Sequence, residues 1–224
     1  MVKKISVVLP CLNEEQSIGI CIDRVRAVFP DAEIIVVDND SEDMSKWIAK
    51  EHGAKVYCEE KRGYGSAYLS GFRIATGDYI IMLDSDLTYD PKELPFFITL
   101  LEQGYDLVLG NRFGGKVVQM PWKSRYIGNP ILSGMFRCLF KTKLRDIHCG
   151  MRAFTAKAYL KMDLKTTGME FASEMMASAI KNKLLIAEVD INYYARAGKS
   201  KLNPIRDAIR HVIFMLKYKC QKYS

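Results

Sequence analysis

The sequence lacks any apolar stretch close to the roughly 20 residues that a helix needs to cross a bilayer. Its first residues are also unlike a signal peptide, because Lys3 and Lys4 precede only a strand-length apolar run. The chain has 224 residues and contains neither repeats nor low-complexity tracts. This length suits one domain with a complete hydrophobic core. We therefore expect a cytoplasmic globular protein without membrane-spanning segments.

Several familiar motifs are missing as well. The six cysteines form no Cys-x-x-Cys pair and have no regular spacing, which favours reduced thiols over a disulfide framework. No Gly-x-Gly-x-x-Gly follows the first apolar run, and no Gly-Lys-Ser phosphate loop occurs. Dinucleotide-dependent dehydrogenases and P-loop enzymes are therefore disfavoured.

The charge is unbalanced in the basic direction. Lysine and arginine number 33 against 26 acidic residues, a formal net charge of +7. Such a balance points to an anionic partner: nucleic acid, lipid headgroups or a phosphorylated small molecule. Charge alone does not choose among these partners.

Strand-like and helix-like segments alternate along the first half of the chain. Apolar runs predict strands over 4–9, 33–37, 55–57, 79–83 and 106–109. Helices are predicted over 13–29, 43–52 and 67–75 and from Pro91 onwards, with Ser41 as the N-cap of the second. This alternation predicts an α/β fold with a parallel sheet and helices on both faces.

The second half is less regular. Segment 121–143 mixes apolar, aromatic and basic residues, and a polar turn at 146–152 enters a short strand. A helix over 170–182, a strand over 184–194 and a basic amphipathic helix over 204–218 follow. Segment 121–143 and the helix over 204–218 have the composition of interfacial helices, although their apolar faces could instead close the core.

Two carboxylates come directly after the most apolar strand. Asp84 and Asp86 follow Tyr79–Leu83, and alternation along an extended chain points both acids to the same side. Oxygen ligands at the carboxyl end of a strand suit a divalent cation that bridges phosphates. The alternative is a solvated turn after the strand.

Other polar segments fall at the ends of other predicted strands, where ligands bind in open α/β sheets. These segments are 10–14, 38–41, 62–65 and 111–112. Asp38 suits a hydrogen bond to a base or ribose, or alternatively caps the following helix.

These motifs together resemble glycosyltransferase family 2, and they occur in the order seen there. They are Val8–Glu14, Val37–Ser41, Arg62–Ala67 and Asp84–Asp86. Downstream, Asp146–Arg152 and Arg196–Leu202 resemble the dolichyl- and polyprenyl-phosphate mannose and glucose synthases. The resemblance implies a GT-A fold, with a Rossmann-like, mainly parallel sheet and C-terminal amphipathic helices. It also implies a single catalytic domain over 1–224, with a nucleotide-sugar half (1–110) and an acceptor half (111–224).

The same resemblance implies roles for individual residues. Asp84 and Asp86 would hold Mg²⁺ or Mn²⁺, and Asp86 and Asp146 would be catalytic. The nucleotide sugar would contact Pro10, Leu12, Glu14, Asp38, Asn39, Arg62, Gly63, Asp84, Ser85 and Arg112. The phosphates and the acceptor would contact Arg152, Arg196, Ser200 and Lys201. Two positions depart from the family: Asn39 stands where a second acid is common, and Thr88 where Gln is common.

The reaction itself predicts what the site needs. Displacing a nucleoside diphosphate leaves negative charge that a cation and basic side chains stabilise. A lipid phosphate is already largely anionic at neutral pH and needs little help from a base. Asp146 is therefore either a base or acceptor-positioning group, or a carboxylate that pairs with Arg145 or Arg152 to hold its turn.

Two further acid or nucleophile candidates have simpler explanations. His148 beside Cys149 suggests a metal or nucleophile pair, but neighbouring side chains usually point apart. Glu170 and Glu174 lie one helical turn apart, and acids in a first turn are explained by the helix dipole. We expect all four to be structural.

The leading hypothesis is an inverting hexosyltransferase that uses GDP-mannose or UDP-glucose and a polyprenyl-phosphate acceptor at the cytoplasmic membrane surface. A second hypothesis keeps the donor but uses a saccharide hydroxyl as acceptor. A third is a non-catalytic nucleotide- or nucleic-acid-binding protein; paired acids beside the basic residues argue against a nucleic-acid groove. A membrane-protein partner and a homo-oligomer are both left open.

Overall fold

A seven-stranded sheet forms the centre of the protein, whose computed structural model describes residues 3–119, 128–198 and 203–220. The strands are β1 (Ile5–Cys11), β2 (Glu33–Asp38), β3 (Lys55–Cys58), β4 (Tyr79–Met82), β5 (Leu107–Asn111), β6 (Arg152–Thr155) and β7 (Ile186–Asp190). Their order across the sheet is β3-β2-β1-β4-β6-β5-β7.

The central strands are apolar because they are covered on both faces. Val7, Val8 and Leu9 of β1 are fully buried, and so are most residues of β2 and β4. β1 pairs in parallel with β2 and with β4. Continuous Val, Ile and Leu runs are typical of such doubly covered parallel strands.

One strand runs against the others. β6 lies between β4 and β5 and is antiparallel to both, while β5 and β7 are parallel. β6 comes from the second half of the sequence, so the halves 1–110 and 111–224 share one sheet. The mainly parallel α/β sheet expected from the sequence is confirmed.

Eight α-helices surround the sheet within the described residues. They are α1 (Ile18–Val28), α2 (Ser45–Glu51), α3 (Tyr64–Ile74), α4 (Leu94–Glu102), α5 (Asn129–Phe140), α6 (Ala156–Met162), α7 (Phe171–Lys181) and α8 (Pro204–Cys220). A short 3-10 turn over Pro91–Glu93 precedes α4. α8 packs against α5 and α7. None of the helices in these ranges has the length and apolar content to span a bilayer.

Several predicted boundaries were wrong. α1 begins at Ile18, five residues after the expected start, and α3 begins at Tyr64 instead of Ala67. Ser41 is not a helix N-cap, because α2 starts four residues later and the Ser41 hydroxyl accepts a hydrogen bond from the Asn13 amide at 3.0 Å. α6 was not predicted. Part of the expected interfacial segment 121–143, namely 121–127, lies outside the described residues.

Candidate active site

The candidate site lies at the edge of the sheet where β1, β2, β4 and β5 end. These four strands run in the same direction, so their carboxyl ends meet at one edge. The polar segments that follow these strands therefore converge there, as ligand-binding segments do in open α/β sheets. Segment 62–65 joins them because it follows β3, which is parallel to β2.

Asp84 lies just beyond β4 and is held by two tyrosines of α3. The hydroxyls of Tyr64 and Tyr68 donate to Asp84 Oδ1 at 3.0 and 2.9 Å. Burial, followed by the charge of Asp86, raises the pKa of Asp84 to about 6. A Cβ atom on Gly150 would lie 2.1 Å from Asp84 Oδ2, so any larger residue there would displace this carboxylate.

The two tyrosines were missed by reasoning from the sequence. Their spacing, i and i+4 directly after Arg62-Gly63, places both side chains on one face of a helix. That spacing is the signal from which their shared contact with an acid could have been predicted.

Asp86 has polar partners on both carboxylate oxygens. Thr88 donates to Oδ1 through its hydroxyl at 2.5 Å and through its amide at 3.1 Å. Arg196 Nη1 donates to Oδ2, and Arg196 Nη2 donates to Glu14 Oε1. The hydroxyl of Thr88 thus fixes the second acid.

Ser85 ties the end of β4 to the end of β1. It is buried, and its hydroxyl donates to the carbonyl of Pro10 at 2.7 Å. Pro10 and Leu12 are half-buried beside it. The segment after β1 is therefore held against the carboxylates after β4.

Asp38, at the end of β2, has an unused oxygen. Its Oδ2 accepts a 3.4 Å hydrogen bond from the Ser41 amide, while the buried Oδ1 has no hydrogen-bond partner among the described residues. A buried acceptor without a donor is costly. Asp38 does not cap α2, so its Oδ1 is available to accept a hydrogen bond from a bound ligand.

Asn39 ties the end of β2 to the loop that precedes α3. Its amide nitrogen donates to the carbonyls of Glu59 and Lys61 at 2.8 and 3.0 Å, and its Oδ1 accepts from the Gly63 amide at 2.7 Å. Because these bonds use both N–H groups of the side-chain amide, Asn39 positions loop 59–63. Its expected contact with the nucleotide stays a prediction.

The loop that Asn39 holds carries two predicted donor contacts. Gly63 has φ +153°, and a Cβ there would lie 2.2 Å from the Thr167 carbonyl, so glycine is required for this close approach. Arg62 is exposed and pairs with Asp40 at 3.0 Å and with Glu42 at 3.5 Å. It lies at the rim of the site.

Arg112 and Asp146 form a buried ion pair. Arg112 donates to Asp146 through Nε at 2.6 Å, Nη2 at 2.7 Å and its backbone amide at 3.1 Å. The alternative expectation, that Asp146 pairs with Arg145 or Arg152, was wrong because Arg112 takes that place. Both oxygens of Asp146 are used, and its side chain is fully buried. Such a carboxylate is poorly placed to accept a proton from a substrate.

Arg152 does not reach the site. It is fully buried, and its guanidinium donates to the carbonyls of Ile147, Cys149 and Ala172 at 2.8, 2.9 and 3.1 Å. We correct its expected contact with the acceptor: it holds the 147–152 turn from inside, because its nitrogens face backbone oxygens.

The His148-Cys149 pair is structural, as expected. Burial raises the pKa of the Cys149 thiol to about 12, so it is not a thiolate nucleophile at neutral pH. The Ser173 hydroxyl lies 3.3 Å from His148 Nε2 and 2.8 Å from His211 Nδ1. Burial lowers the pKa of His211 to about 4, so this cluster is neutral and joins α8 to the 146–150 turn.

Glu174 is also structural, since it accepts hydrogen bonds from the Thr166 amide and hydroxyl at 2.8 and 2.6 Å. Ser200 and Lys201 lie outside the described residues.

Within the described ranges, no group of three His, Cys, Asp or Glu side chains is arranged to hold a metal. A cation at Asp84 and Asp86 would therefore take its remaining ligands from a bound substrate and water.

Known proteins match both the sequence and the fold. The model of the family "Glycosyl transferase family 2" matches residues 6–166. The low-salt glycan biosynthesis hexosyltransferase Agl6 of Haloferax volcanii is 41% identical over 95% of this chain, which spans only 53% of that relative. A dolichyl-phosphate hexose transferase of the same organism is 33% identical over 89% of this chain and 87% of its own length.

Among solved structures, glucosyl-3-phosphoglycerate synthase from Mycobacterium tuberculosis in complex with Mn²⁺, uridine diphosphate and glucosyl-3-phosphoglycerate superposes with a TM-score of 0.78. The match covers 98% of this chain and 80% of that one at 24% sequence identity. At this identity the likeness concerns the fold, and it agrees with the GT-A architecture expected from the sequence.

Proposed function

The chain belongs to glycosyl transferase family 2, and from this membership we propose that it transfers a hexose from a nucleotide sugar to a polyprenyl or dolichyl phosphate. The observation that carries the proposal is the convergence of Asp84, Asp86 and the unpaired oxygen of Asp38 at one edge of the sheet. The similarity to a dolichyl-phosphate hexose transferase supports the choice of acceptor.

The donor nucleotide would lie over the ends of β1 and β2. Asp38 Oδ1 is the buried acceptor for a ribose hydroxyl or a base N–H, and Pro10 and Leu12 flank it. Glycine at position 63 lets the loop before α3 lie directly against the Thr167 carbonyl. We propose that these groups select the nucleoside part, whose base is guanine or uracil.

A divalent cation, Mg²⁺ or Mn²⁺, fits the chemistry of the two acids. Asp84 Oδ2 has no hydrogen bond among the described residues, and both acids offer the oxygen ligands that such ions prefer. When bound, the ion supplies positive charge that stabilises the leaving nucleoside diphosphate. Tyr64, Tyr68 and Thr88 then serve to orient the two carboxylates.

The transfer is a single displacement at the anomeric carbon. The lipid phosphate is anionic, so one of its oxygens attacks the anomeric carbon without a general base while the bond from that carbon to the nucleoside diphosphate breaks. Because no enzyme nucleophile intervenes, this one displacement inverts the anomeric configuration. We therefore propose that Asp146 is a positioning residue that holds the Arg112 guanidinium. Arg112, Arg196 and Lys201 would neutralise the phosphates, and the Ser200 hydroxyl would donate a hydrogen bond to them.

The acceptor half offers a surface for the bilayer. Ile205, Ile209, Ile213 and Leu216 form an exposed apolar stripe on α8, opposite the buried Asp207, His211 and Met215. Arg206, Arg210 and Lys217 run alongside the stripe. Apolar and basic rows in this arrangement suit an anionic lipid surface, so we propose that α8 lies on the cytoplasmic face of the membrane.

One experiment tests the activity and the cation site together. Purified protein is incubated with Mg²⁺, polyprenyl phosphate and labelled GDP-mannose or UDP-glucose, and the label in the organic phase is counted. Asp84→Asn should lower this transfer by about 100-fold or more, because charge stabilisation of the leaving group is lost. Asp23→Asn, an exposed acid that pairs with His52, is the matched control and should transfer normally.

The result has clear alternatives. Label found only in water-soluble saccharide would replace the lipid acceptor with a sugar hydroxyl. Full activity in Asp84→Asn would overturn the cation assignment. Absence of transfer from both donors, with nucleotide binding retained, would favour a non-catalytic nucleotide-binding protein.

A further inference from the structure

Arg196 is bound to the carboxylate that a cation would need. Its Nη1 donates to Asp86 Oδ2 and its Nη2 to Glu14 Oε1, so one guanidinium bridges the ends of β4 and β1. The Arg196 side chain is only about a quarter exposed, at 26%, and the two acids are buried further, at 10% and 8%. The contact is therefore an ion-pair bridge inside the site.

The backbone fixes this position independently of the side chains. The Tyr194 amide donates to the Thr88 carbonyl, and the Ala197 amide donates to the Asp86 carbonyl, both at 2.9 Å. Segment 194–197 thus runs beside 86–88, and Arg196 is carried between the two bonds. Gly198 follows in a left-handed turn at φ +76°. The side chain reaches Asp86 because the chain is hydrogen-bonded against it.

The bridge leaves part of the guanidinium unused. Arg196 Nε is buried and has no hydrogen-bond partner among the described residues. Arginine presents its donors as a fork that matches phosphate oxygens. In the present arrangement, Arg196 therefore bonds to two carboxylates while its Nε–H stays unmatched among the described residues.

The bridge and a cation compete for the same carboxylate. On Asp86, Thr88 donates twice to Oδ1 and Arg196 donates to Oδ2, so each oxygen already has a donor. A dication ligated by Asp86 Oδ2 would face the positive guanidinium at close range in a partly desolvated site, where like charges repel strongly. One of the two cations has to leave Asp86.

We propose that Arg196 is a displaceable internal counter-cation of the site: it neutralises Asp86 and Glu14 in the free protein and moves to the diphosphate when donor and metal bind together. The inference rests on the proposed function, because it assumes the cation site at Asp84 and Asp86. Without a nucleotide, a metal ion must break the bridge and leave Arg196 beside it. With a nucleotide, the diphosphate takes the displaced guanidinium, so metal and donor bind with positive coupling.

Direct measurement of Mn²⁺ binding tests this coupling without turnover. Free Mn²⁺ is followed by its electron paramagnetic resonance signal, with and without GDP or UDP. In the wild-type protein, either GDP or UDP should tighten Mn²⁺ binding clearly. Arg196→Gln should bind Mn²⁺ about tenfold more tightly than wild type without nucleotide, and the tightening by nucleotide should shrink accordingly.

Arg145→Gln is the charge-matched control. Arg145 is exposed and pairs with Glu188 and Asp190, away from Asp86. This variant should bind Mn²⁺ as the wild type does, which separates loss of the bridge from loss of one positive charge. Thermal melting of each variant verifies that it is folded.

The two proposals fail differently. If Arg196→Gln and wild type bind Mn²⁺ equally without nucleotide, while Asp84→Asn abolishes the binding seen with nucleotide, the counter-cation role is wrong and the cation site stands. If wild type binds no Mn²⁺ even with GDP or UDP, the cation site itself is wrong. A gain in Arg145→Gln equal to that in Arg196→Gln would also overturn the role, because net charge would then explain it.

Discussion

At the scale of single residues, the Arg112-Asp146 pair is a buried ion pair with three hydrogen bonds. Removing one member of a buried ion pair leaves the other charge without compensation, which costs about 3–5 kcal/mol. We expect Arg112→Gln to lower the free energy of unfolding by that amount in urea titrations. Arg145→Gln, in an exposed pair, should cost about 1 kcal/mol or less. Equal losses in the two variants would contradict the burial argument.

The hydrogen bonds of Glu33 predict that the folded protein loses stability in acid. Burial raises the pKa of this carboxyl, but hydrogen bonds from Lys55, Ser6 and Thr76 outweigh burial and lower the pKa from 4.5 to about 2. The folded-state pKa lies below that of the unfolded chain, so the stability that Glu33 contributes is present above pH 4.5. It is lost as the pH falls towards 2.

The measurement is the free energy of unfolding at several pH values between 7 and 2. Glu33→Gln should be less stable than wild type at pH 7 and should lose less stability below pH 4.5. Glu60→Gln, at an exposed position, should keep the wild-type pH dependence. An unchanged slope in Glu33→Gln would show that its hydrogen bonds do not favour the charged form.

At the scale of elements, the exposed stripe of α8 predicts binding to lipid vesicles. Burying an isoleucine side chain is worth about 1.5–3 kcal/mol, or about tenfold or more in affinity. Ile209→Gln and Ile213→Gln should each weaken flotation with anionic vesicles by about tenfold while leaving the melting temperature nearly unchanged. Leu160→Gln, at an apolar position on α6 that is more exposed than either isoleucine, should bind as wild type does. Vesicle binding that survives both isoleucine changes would exclude α8 as the lipid-facing element.

The helices and strands also show which features a local sequence pattern can predict. The apolar runs of β1, β2 and β4 predicted their strands because their burial on both faces leaves a continuous signal in the sequence. The starts of α1 and α3 were missed because they depend on contacts between distant segments. The turn before α1 is held by Ser41 and Ser45, and the start of α3 by Thr167.

At the scale of the whole molecule, one sheet is built from both halves of the chain. β6 supplies hydrogen bonds to β4 and β5, so neither half completes its own sheet. We expect a single cooperative unfolding transition, as single domains usually show. Trp47→Phe and Trp122→Phe each leave one tryptophan, in the second and the first half respectively, and their fluorescence should change at the same urea concentration. Two separate midpoints would mean that the nucleotide-sugar and acceptor halves are independent domains.

The sequence by itself determined the fold class and predicted the edge of the sheet where the candidate site lies. Apolar runs, turn residues and the alternation of Asp84 and Asp86 are local properties, and the carboxyl ends of parallel strands meet at one edge whatever the details. The family resemblance followed from the same segments.

Only the tertiary structure decided which charged groups meet. Arg112 pairs with Asp146 across 34 residues, and Arg196 with Glu14 across 182, while Arg152, close to Asp146 in sequence, turns to backbone carbonyls. Ion pairs and hydrogen bonds form over about 3 Å, so their partners depend on the packing that brings distant segments together. For the same reason the sequence predicted two acids for a cation but not the arginine that now holds one of them.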